Sequence, residues 1–293
     1  MSLRPLWLAL VVALAALQLP PSASAANSPA HISAQSPCGV TSSPPTYQHV
    51  VWILLENVGY SVVGSPSAPY LNSLGNRCGL AINYLAISHP SLPNYIALTS
   101  GSTQGIADDD EPAAHPLGGP SIFSQLAGNW RGLEQSMPGA CDHVTSGSYA
   151  ARHNPAVYYT NLGATCRRDD VPLTFPLRLS ARFTFITPNI CDDMHSCPVS
   201  IGDRWLSQVV PEIVASPQYQ ARSLVLFITF DENDGGPTNQ VPTYVVAPSV
   251  PRHVRVGLAL THYSLLRTTE NLLSLPLLGG ARTARSMVGP FHL

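Results

Sequence analysis

The stretch "SLVLFITF" (Ser223–Phe230) is followed directly by "DENDGG" (Asp231–Gly236). The first part is apolar throughout, without the alternation of a half-solvated strand. It reads as a strand buried on both faces, and so as a central one. The polar cluster then stands at its carboxyl end. Other segments repeat the pattern. "HVVWILL" (His49–Leu55) ends in Glu56-Asn57, and "LAINYLAI" (Leu80–Ile87) leads into His89 and Ser91. "FTFITP" (Phe183–Pro188) ends in "NICDDMHSC" with Asn189, Asp192, Asp193 and His195. "TYVVAP" (Thr243–Pro248) is a further strand, and the loop after it leads to Thr261-His262.

Helical patterns separate these runs. They are "APYLNSLGNR" (Ala68–Arg77), "LPNYIALTS" (Leu92–Ser100), "SIFSQLAGNW" (Ser121–Trp130), "IGDRWLSQVVPEIVAS" (Ile201–Ser216) and "HYSLLRTTENLLSL" (His262–Leu275). Pro93 is tolerated in a first turn, and Pro211 would kink the longest helix. Strands that are apolar on both faces and alternate with helices predict an α/β fold. A central, mostly parallel sheet should carry helices on both faces. Residues 131–182 break the rhythm, are loop-rich and carry Cys141 and Cys166, so they read as an insertion or lid.

The chain has 293 residues, enough for one large α/β domain with a buried core. Charged residues are 11%, the formal net charge is −2, and all fifteen basic residues are arginine. No basic field is available for nucleic acid. Residues 1–25 read as a signal peptide. Arg4 provides the positive start, Leu6–Leu17 is an unbroken apolar run of 12 residues, and Ala23-Ser24-Ala25 fits a cleavage site. A membrane-spanning helix needs about 20 residues, so a stable span is not expected. An uncleaved N-terminal anchor is the alternative. Residues 26–46 are Ser/Pro/Ala-rich and read as a flexible or surface-tracking lead-in, and 47–293 as a single domain. The mature chain is expected outside the cell, cut near Ala25.

Six cysteines, Cys38, Cys78, Cys141, Cys166, Cys191 and Cys197, then read as disulfides. Six allow 15 pairings. Proximity favours Cys141–Cys166 and Cys191–Cys197, which leaves Cys38–Cys78. A zinc site competes, but no CxxC pair is present.

In open α/β sheets ligands collect at the carboxyl ends of the strands. Each cluster alone also reads as a turn or a helix cap. Their recurrence at five strand ends points to one shared crevice. Carboxylates, an asparagine carbonyl and a hydroxyl make a hard, oxygen-rich site suited to one divalent cation. Such a cation lowers the pKa of a serine hydroxyl and screens a phosphate. Ser91, at a helix start, faces free backbone N–H groups and the positive end of the dipole. Asn94 has an amide to offer a phosphoryl oxygen, and His195 and His262 are candidates to hold phosphate or protonate a leaving alkoxide.

"LLEN", "SHPSLPNY", "DDMHSC", "TFDENDGG" and "THYSLLRTTENLL", in that order, resemble the phosphoesterase family of bacterial secreted acid phosphatases and phospholipases C. That family lies within the alkaline-phosphatase superfamily, and the resemblance runs from Gln48 to Leu275. It implies an alkaline-phosphatase-like fold. It implies Glu56, Asn57, Ser91, Asp231 and Glu232 around the metal, with Ser91 as nucleophile. Asn94, His153 and Asp193 fall on the substrate side, and His195 and His262 on the phosphate or leaving-group side. Two departures stand out. Val58-Gly59 follows Glu-Asn where relatives have Arg-Ser, and Cys191 replaces an acid four before His195. The second departure argues for one metal and not two.

The expected function is a secreted phosphomonoesterase that works through a metal-activated serine and a phosphoserine intermediate. Its substrate would be a small phosphorylated molecule, phosphoinositide or other phospholipid headgroups included. A phospholipase C is the first alternative, with Trp130, Tyr158 and Tyr159 as candidates for a choline cage. An inactive phosphate- or metal-binding secreted protein is the second. An ordinary serine esterase is disfavoured by the lack of a G-x-S-x-G elbow.

Overall fold

The computed structural model of the chain describes residues 1–3, 32–236 and 238–293. From residue 4 to residue 31, the expected signal peptide and the start of the lead-in lie outside the described residues. The strands are β1 (His49–Leu55), β2 (Gly79–Ala81), β3 (Tyr84–Leu85), β4 (Trp130–Glu134), β5 (Asp170–Pro172), β6 (Phe183–Thr187), β7 (Leu224–Phe230), β8 (Thr243–Val246), β9 (Arg255–Val256) and β10 (Leu260–Thr261). Eight form one sheet in the order β5-β4-β6-β1-β7-β8-β2-β9, while β10 pairs with β3 separately. β6, β1 and β7 run parallel, with Ile53 opposite Ile186 and Leu55 opposite Phe230. Their carboxyl ends are therefore level. β8 is antiparallel to both of its neighbours.

Every residue of β7 is buried, as expected of the central run. Successive side chains alternate between faces, so both faces are covered. Each of its Leu, Val, Ile and Phe side chains contributes about 1.5–3 kcal/mol by leaving water. The helices are α1 (Pro69–Arg77), α2 (Ser91–Ser100), α3 (Ile122–Gln125), α4 (Ala164–Asp169), α5 (Val199–Ala215), α6 (Pro217–Gln220), α7 (His262–Leu272) and α8 (Val288–Phe291). α2 packs on α7, and α1 packs on α5. The Trp52 indole N–H donates to Thr269 Oγ1 at 3.0 Å, which ties β1 to α7. Asp203 of α5 accepts from the backbone N–H groups of Tyr70 and Leu71 at 2.9 and 2.8 Å, capping α1 from a neighbouring helix.

Three expectations are corrected. The helix predicted over 121–130 is only Ile122–Gln125, because Ala127 and Gly128 both take positive φ. Trp130 instead opens a strand. Residues 131–182 are therefore not wholly an insertion, since both ends supply sheet strands, β4 and β5. "LAINYLAI" is two short strands in different sheets, parted at Ile82-Asn83.

The disulfides are Cys38–Cys78, Cys141–Cys166 and Cys191–Cys197, with no free cysteine among the described residues. The first closes 40 residues and fastens the lead-in, whose Gly39 and Val40 N–H groups also donate to Val250 O and Pro248 O. Loop-entropy arithmetic for a bridge of that span gives about 4 kcal/mol. A Cys38→Ser/Cys78→Ser protein is expected to lose a comparable amount in urea unfolding, with a steeper slope as the unfolded chain expands.

Candidate active site

The Ser91 loop is built from its own sequence. Pro90 is extended at the N-cap of α2, Pro93 sits in the first turn, and Gly101 ends the helix in the left-handed region. The Asn94 carbonyl oxygen accepts from the N–H groups of Ile87 and Ser88 at 3.0 and 2.9 Å. Its amide nitrogen donates to Ser88 O and Pro90 O at 2.9 and 3.2 Å. Both amide hydrogens are thus committed to the loop. Where the sequence suggested a donor to phosphate, the structure shows a clamp that sets the position of Ser91.

Ser91 is 2% exposed, and its hydroxyl donates to Glu56 Oε2 at 2.9 Å. Glu56 is fully buried just beyond β1, and its N–H donates to Asp193 O at 2.8 Å. Its second oxygen accepts from the Tyr95 hydroxyl at 2.5 Å. Tyr95 is one helical turn beyond Ser91, so a single face of α2 presents both hydroxyls to one carboxylate. Asp231, just beyond β7, accepts the Asn57 N–H at 3.0 Å. Asn57 has positive φ and reaches this group through its backbone. Glu232 is buried beside Asp231, with His89 Nδ1 2.7 Å from its Oε2. The first-turn serine, Glu56 and the Asp231-Glu232 pair are therefore together, as the sequence predicted.

The histidines divide differently. His153 is buried, with Nε2 3.5 Å from Glu56 Oε1 and Nδ1 3.2 Å from Asp193 Oδ2. It stacks on Tyr95 with ring centroids 5.4 Å apart and planes 3° apart. A residue carried only on the substrate side thus lies at the centre of the cluster. His195 is exposed at the rim, 5.6 Å from His153 between ring centroids, and its N–H donates to Asp193 Oδ1 at 2.7 Å. His262 is 0% exposed; its Nε2 lies 2.6 Å from Asp231 O and its Nδ1 3.1 Å from the Tyr84 hydroxyl. With both nitrogens engaged and no route to solvent, it braces Asp231 and does not face a leaving group. Trp130, Tyr158 and Tyr159 are buried and form no open cage.

Tyr95 and Arg152 were not singled out in the sequence. Tyr95 reads there as an apolar helix position. Arg152 lies in a 3₁₀ turn, with its Nη2 3.3 Å from His195 Nε2. Only its neighbour His153 gave a signal.

The cluster is short of positive charge. Burial pushes the Glu56 carboxyl well above its ordinary pKa, and repulsion from Asp231 and Asp193 adds to this. Burial likewise raises Asp193 and Asp231. Glu232 goes up to about 8 by burial, then by repulsion from Asp231 and Asp109. Burial, with the charges of Arg152 and His195, holds His153 well below its usual value. Among the described residues, Asp231 Oδ2 is buried without a hydrogen-bond partner, and Glu232 Oε2 and Asp193 Oδ2 meet only the imidazole nitrogens of His89 and His153. Carboxylate oxygens crowded around a buried hydroxyl with so little positive charge suit a divalent cation. Glu56, His153 and His195 also bring donor atoms within 4.8 Å of one another, on the other side of Glu56.

Raised carboxyl pKa values have a definite sign. Below the unfolded pKa, near 4, both states are protonated and the folded state carries no penalty. As pH rises through the raised values, the folded state binds more protons than the unfolded one, so stability falls. In chelator, the melting temperature is expected to drop from pH 7 to pH 8.5, above the range in which the depressed histidines act in the opposite sense, and added divalent metal should flatten the slope. A rising curve in chelator would contradict the burial of unpaired carboxylates.

The model of the Phosphoesterase family matches residues 60–276, and the chain belongs to that family. It is a hydrolase that acts on phosphoric ester bonds. A phosphatidylinositol-3-phosphatase of Mycobacterium tuberculosis is 33% identical over 259 residues, covering 83% of this chain and 82% of that protein. A phosphate-repressible acid phosphatase of Penicillium chrysogenum is 29% identical, covering 80% of this chain. The chain spans 60% of that fungal relative. Among solved structures, the lipoteichoic acid synthase LtaP from Listeria monocytogenes superposes with a TM-score of 0.57 at 12% identity, over 84% of this chain and 80% of that one. An alkaline-phosphatase-superfamily protein from Vibrio parahaemolyticus gives 0.55 at 11%, over 80% and 68%. At such identities the likeness is one of fold.

Proposed function

We propose that the protein is an exported phosphomonoesterase in which Ser91 attacks phosphorus and carries the phosphoryl group as phosphoserine. The observation that carries this reading is the Ser91 hydroxyl, at the start of α2, donating to Glu56 within a cluster of buried carboxylates, one of which, Asp231, has an oxygen without a partner. Glu56, Ser91, Asp231 and Glu232 would hold one divalent metal, and Asn57, expected among them, braces Asp231 through its N–H. When bound, it lowers the pKa of the serine hydroxyl and screens phosphate charge.

The remaining work falls to the chain. Glu56 accepts the hydroxyl proton as the oxygen–phosphorus bond forms and the ester bond breaks. Asn94 keeps the loop in place, and Tyr95 and His153 both hold Glu56 Oε1, leaving Oε2 to the Ser91 hydroxyl. His195 has the solvent access to hand a proton to the departing alkoxide. Burial and Arg152 lower its pKa, so it is also suited to take the proton of the water that later hydrolyses phosphoserine. Asp193 holds His195 by its backbone and flanks His153.

The substrate class is a small phosphomonoester. The mycobacterial relative, matched over most of its length, favours inositol-lipid monoesters among them. Three disulfides suit an oxidising compartment, and among the described residues no helix is long and apolar enough to cross a membrane. Export with cleavage near Ala25 accords with both.

A substrate panel tests the reading. Nitrophenyl phosphate and phosphatidylinositol 3-phosphate vesicles should release inorganic phosphate. Phosphocholine release from phosphatidylcholine, without monoester turnover, would instead favour a phospholipase C. Dialysis against EDTA is expected to abolish turnover and divalent metal to restore it; undiminished activity after chelation would remove the metal from the account.

A further inference from the structure

The first turn of α2 carries a carboxylate from a distant loop. A helix begins with four backbone N–H groups that have no intrahelical partner. Here the N-cap and third positions are Pro90 and Pro93, which have no N–H, so only those of Ser91 and Leu92 remain. The Leu92 N–H donates to Asp109 Oδ1 at 2.9 Å. Asp109 comes from the exposed acidic loop "ADDDE" (Ala107–Glu111), seventeen residues further along the chain. Its other oxygen lies 3.9 Å from Arg152 Nε, a loose ion pair. Arg152 is 23% exposed, and among the described residues its other polar partner is His195 Nε2, a poor one for a guanidinium. A carboxylate thus sits between a helix N-terminus and an arginine, beside the proposed nucleophile. A phosphoryl group attacked by Ser91 needs those same donors.

We infer that Asp109 is a built-in stand-in for the substrate phosphate: it fills the cradle formed by the Leu92 N–H and Arg152, and a phosphate dianion binds by displacing it. A carboxylate suits a helix start, but this one stands where it adds to a crowd of acids. The crevice already holds Glu56, Asp231 and Glu232, and Asp109 adds a like charge that Glu232 feels. Capping α2 alone does not require a charge, because asparagine or serine caps as well. When phosphate enters, Arg152 exchanges a long contact with Asp109 for a close one with the ligand. Asp109 swings out with its exposed loop. The cradle therefore discriminates for a dianion, which outcompetes a single carboxylate, and against neutral or singly charged diesters. This inference rests on the phosphatase reading for its biological sense, but its test does not depend on turnover.

The test is calorimetric titration of inorganic phosphate into the full mature chain with divalent metal present. The wild type, Asp109→Asn and Arg152→Gln are compared, with unliganded melting temperatures as a folding control. Asparagine keeps an acceptor for the Leu92 N–H, so the cap survives while the competing charge goes. Asp109→Asn is expected to bind phosphate about tenfold more tightly, and Arg152→Gln about tenfold more weakly, the scale of one charge-assisted hydrogen bond. Equal or weaker binding by Asp109→Asn, unchanged binding by Arg152→Gln, or no binding by either wild type or Asp109→Asn would overturn the inference. If the wild type hydrolyses no phosphoester yet Asp109→Asn tightens phosphate, the cradle stands and the phosphatase reading falls. If turnover is normal and phosphate affinity does not respond to Asp109, the reverse holds.

Discussion

Ser91→Ala is expected to lower phosphomonoesterase turnover by at least about 10⁴-fold, the scale seen when a covalent nucleophile is removed. That corresponds to about 5.5 kcal/mol of transition-state stabilisation. The fold should survive. Ser91 is buried but small, and its hydroxyl makes one hydrogen bond, to Glu56. Losing it leaves Glu56 Oε2 without a donor, which costs about 1–3 kcal/mol. A domain with three disulfides and the central strand fully buried tolerates that. The measurement is kcat on nitrophenyl phosphate beside a melting curve. An inactive, folded variant supports the nucleophile. An active one removes it.

Glu56→Gln is expected to cost about 10²–10³-fold in kcat/KM and to weaken divalent-metal binding at least tenfold, as for the loss of a charged, hydrogen-bonded group in a buried site. The substitution keeps volume, so packing around β1 is undisturbed. It removes the charge that receives the Ser91 and Tyr95 hydroxyls. The new amide also places N–H groups where donors already point, and one of the two contacts must turn away. Metal binding by calorimetry separates two origins of the loss. Weak metal binding with partial rescue at high metal places Glu56 among the ligands. Unchanged metal affinity with low kcat leaves it as acceptor of the serine proton alone.

The part of this molecule that was legible from sequence is the part with period and position. β7 and β1 announce themselves because uninterrupted apolar runs fit a covered sheet, and the acids after them follow from the carboxyl-end rule. β5 and β4, the strand at one edge of the sheet and its neighbour, escaped because their sequences are mixed. "WRGLE" (Trp130–Glu134) and "DVP" (Asp170–Pro172) carry charges that the fold pairs or buries only through distant partners. Arg131, for instance, meets Asp169 across the edge. Of the site, Ser91, Glu56, Asp231 and Glu232 were readable as strand-end chemistry. Asn94 and His262 were readable as residues but not as roles, because a side chain's hydrogen-bond partners are set by tertiary packing. His153 was faint for a related reason. It lies in a 3₁₀ turn of a loop-rich segment, and only its stacking on Tyr95 and its place between Glu56 and Asp193 give it weight. Asp109 and Arg152 carried no pattern at all, since an acidic surface loop has many meanings until one of its carboxylates is seen on a helix start.

The central claim is that Ser91 carries the phosphoryl group. Rapid acid quench of the enzyme during turnover, followed by peptide mass spectrometry, tests it most directly. The account predicts one added phosphoryl group on the peptide that contains "SHPSLPNY" (Ser88–Tyr95), localised to Ser91 and absent from Ser91→Ala. Steady turnover with no phosphopeptide while Ser91→Ala retains activity would contradict it.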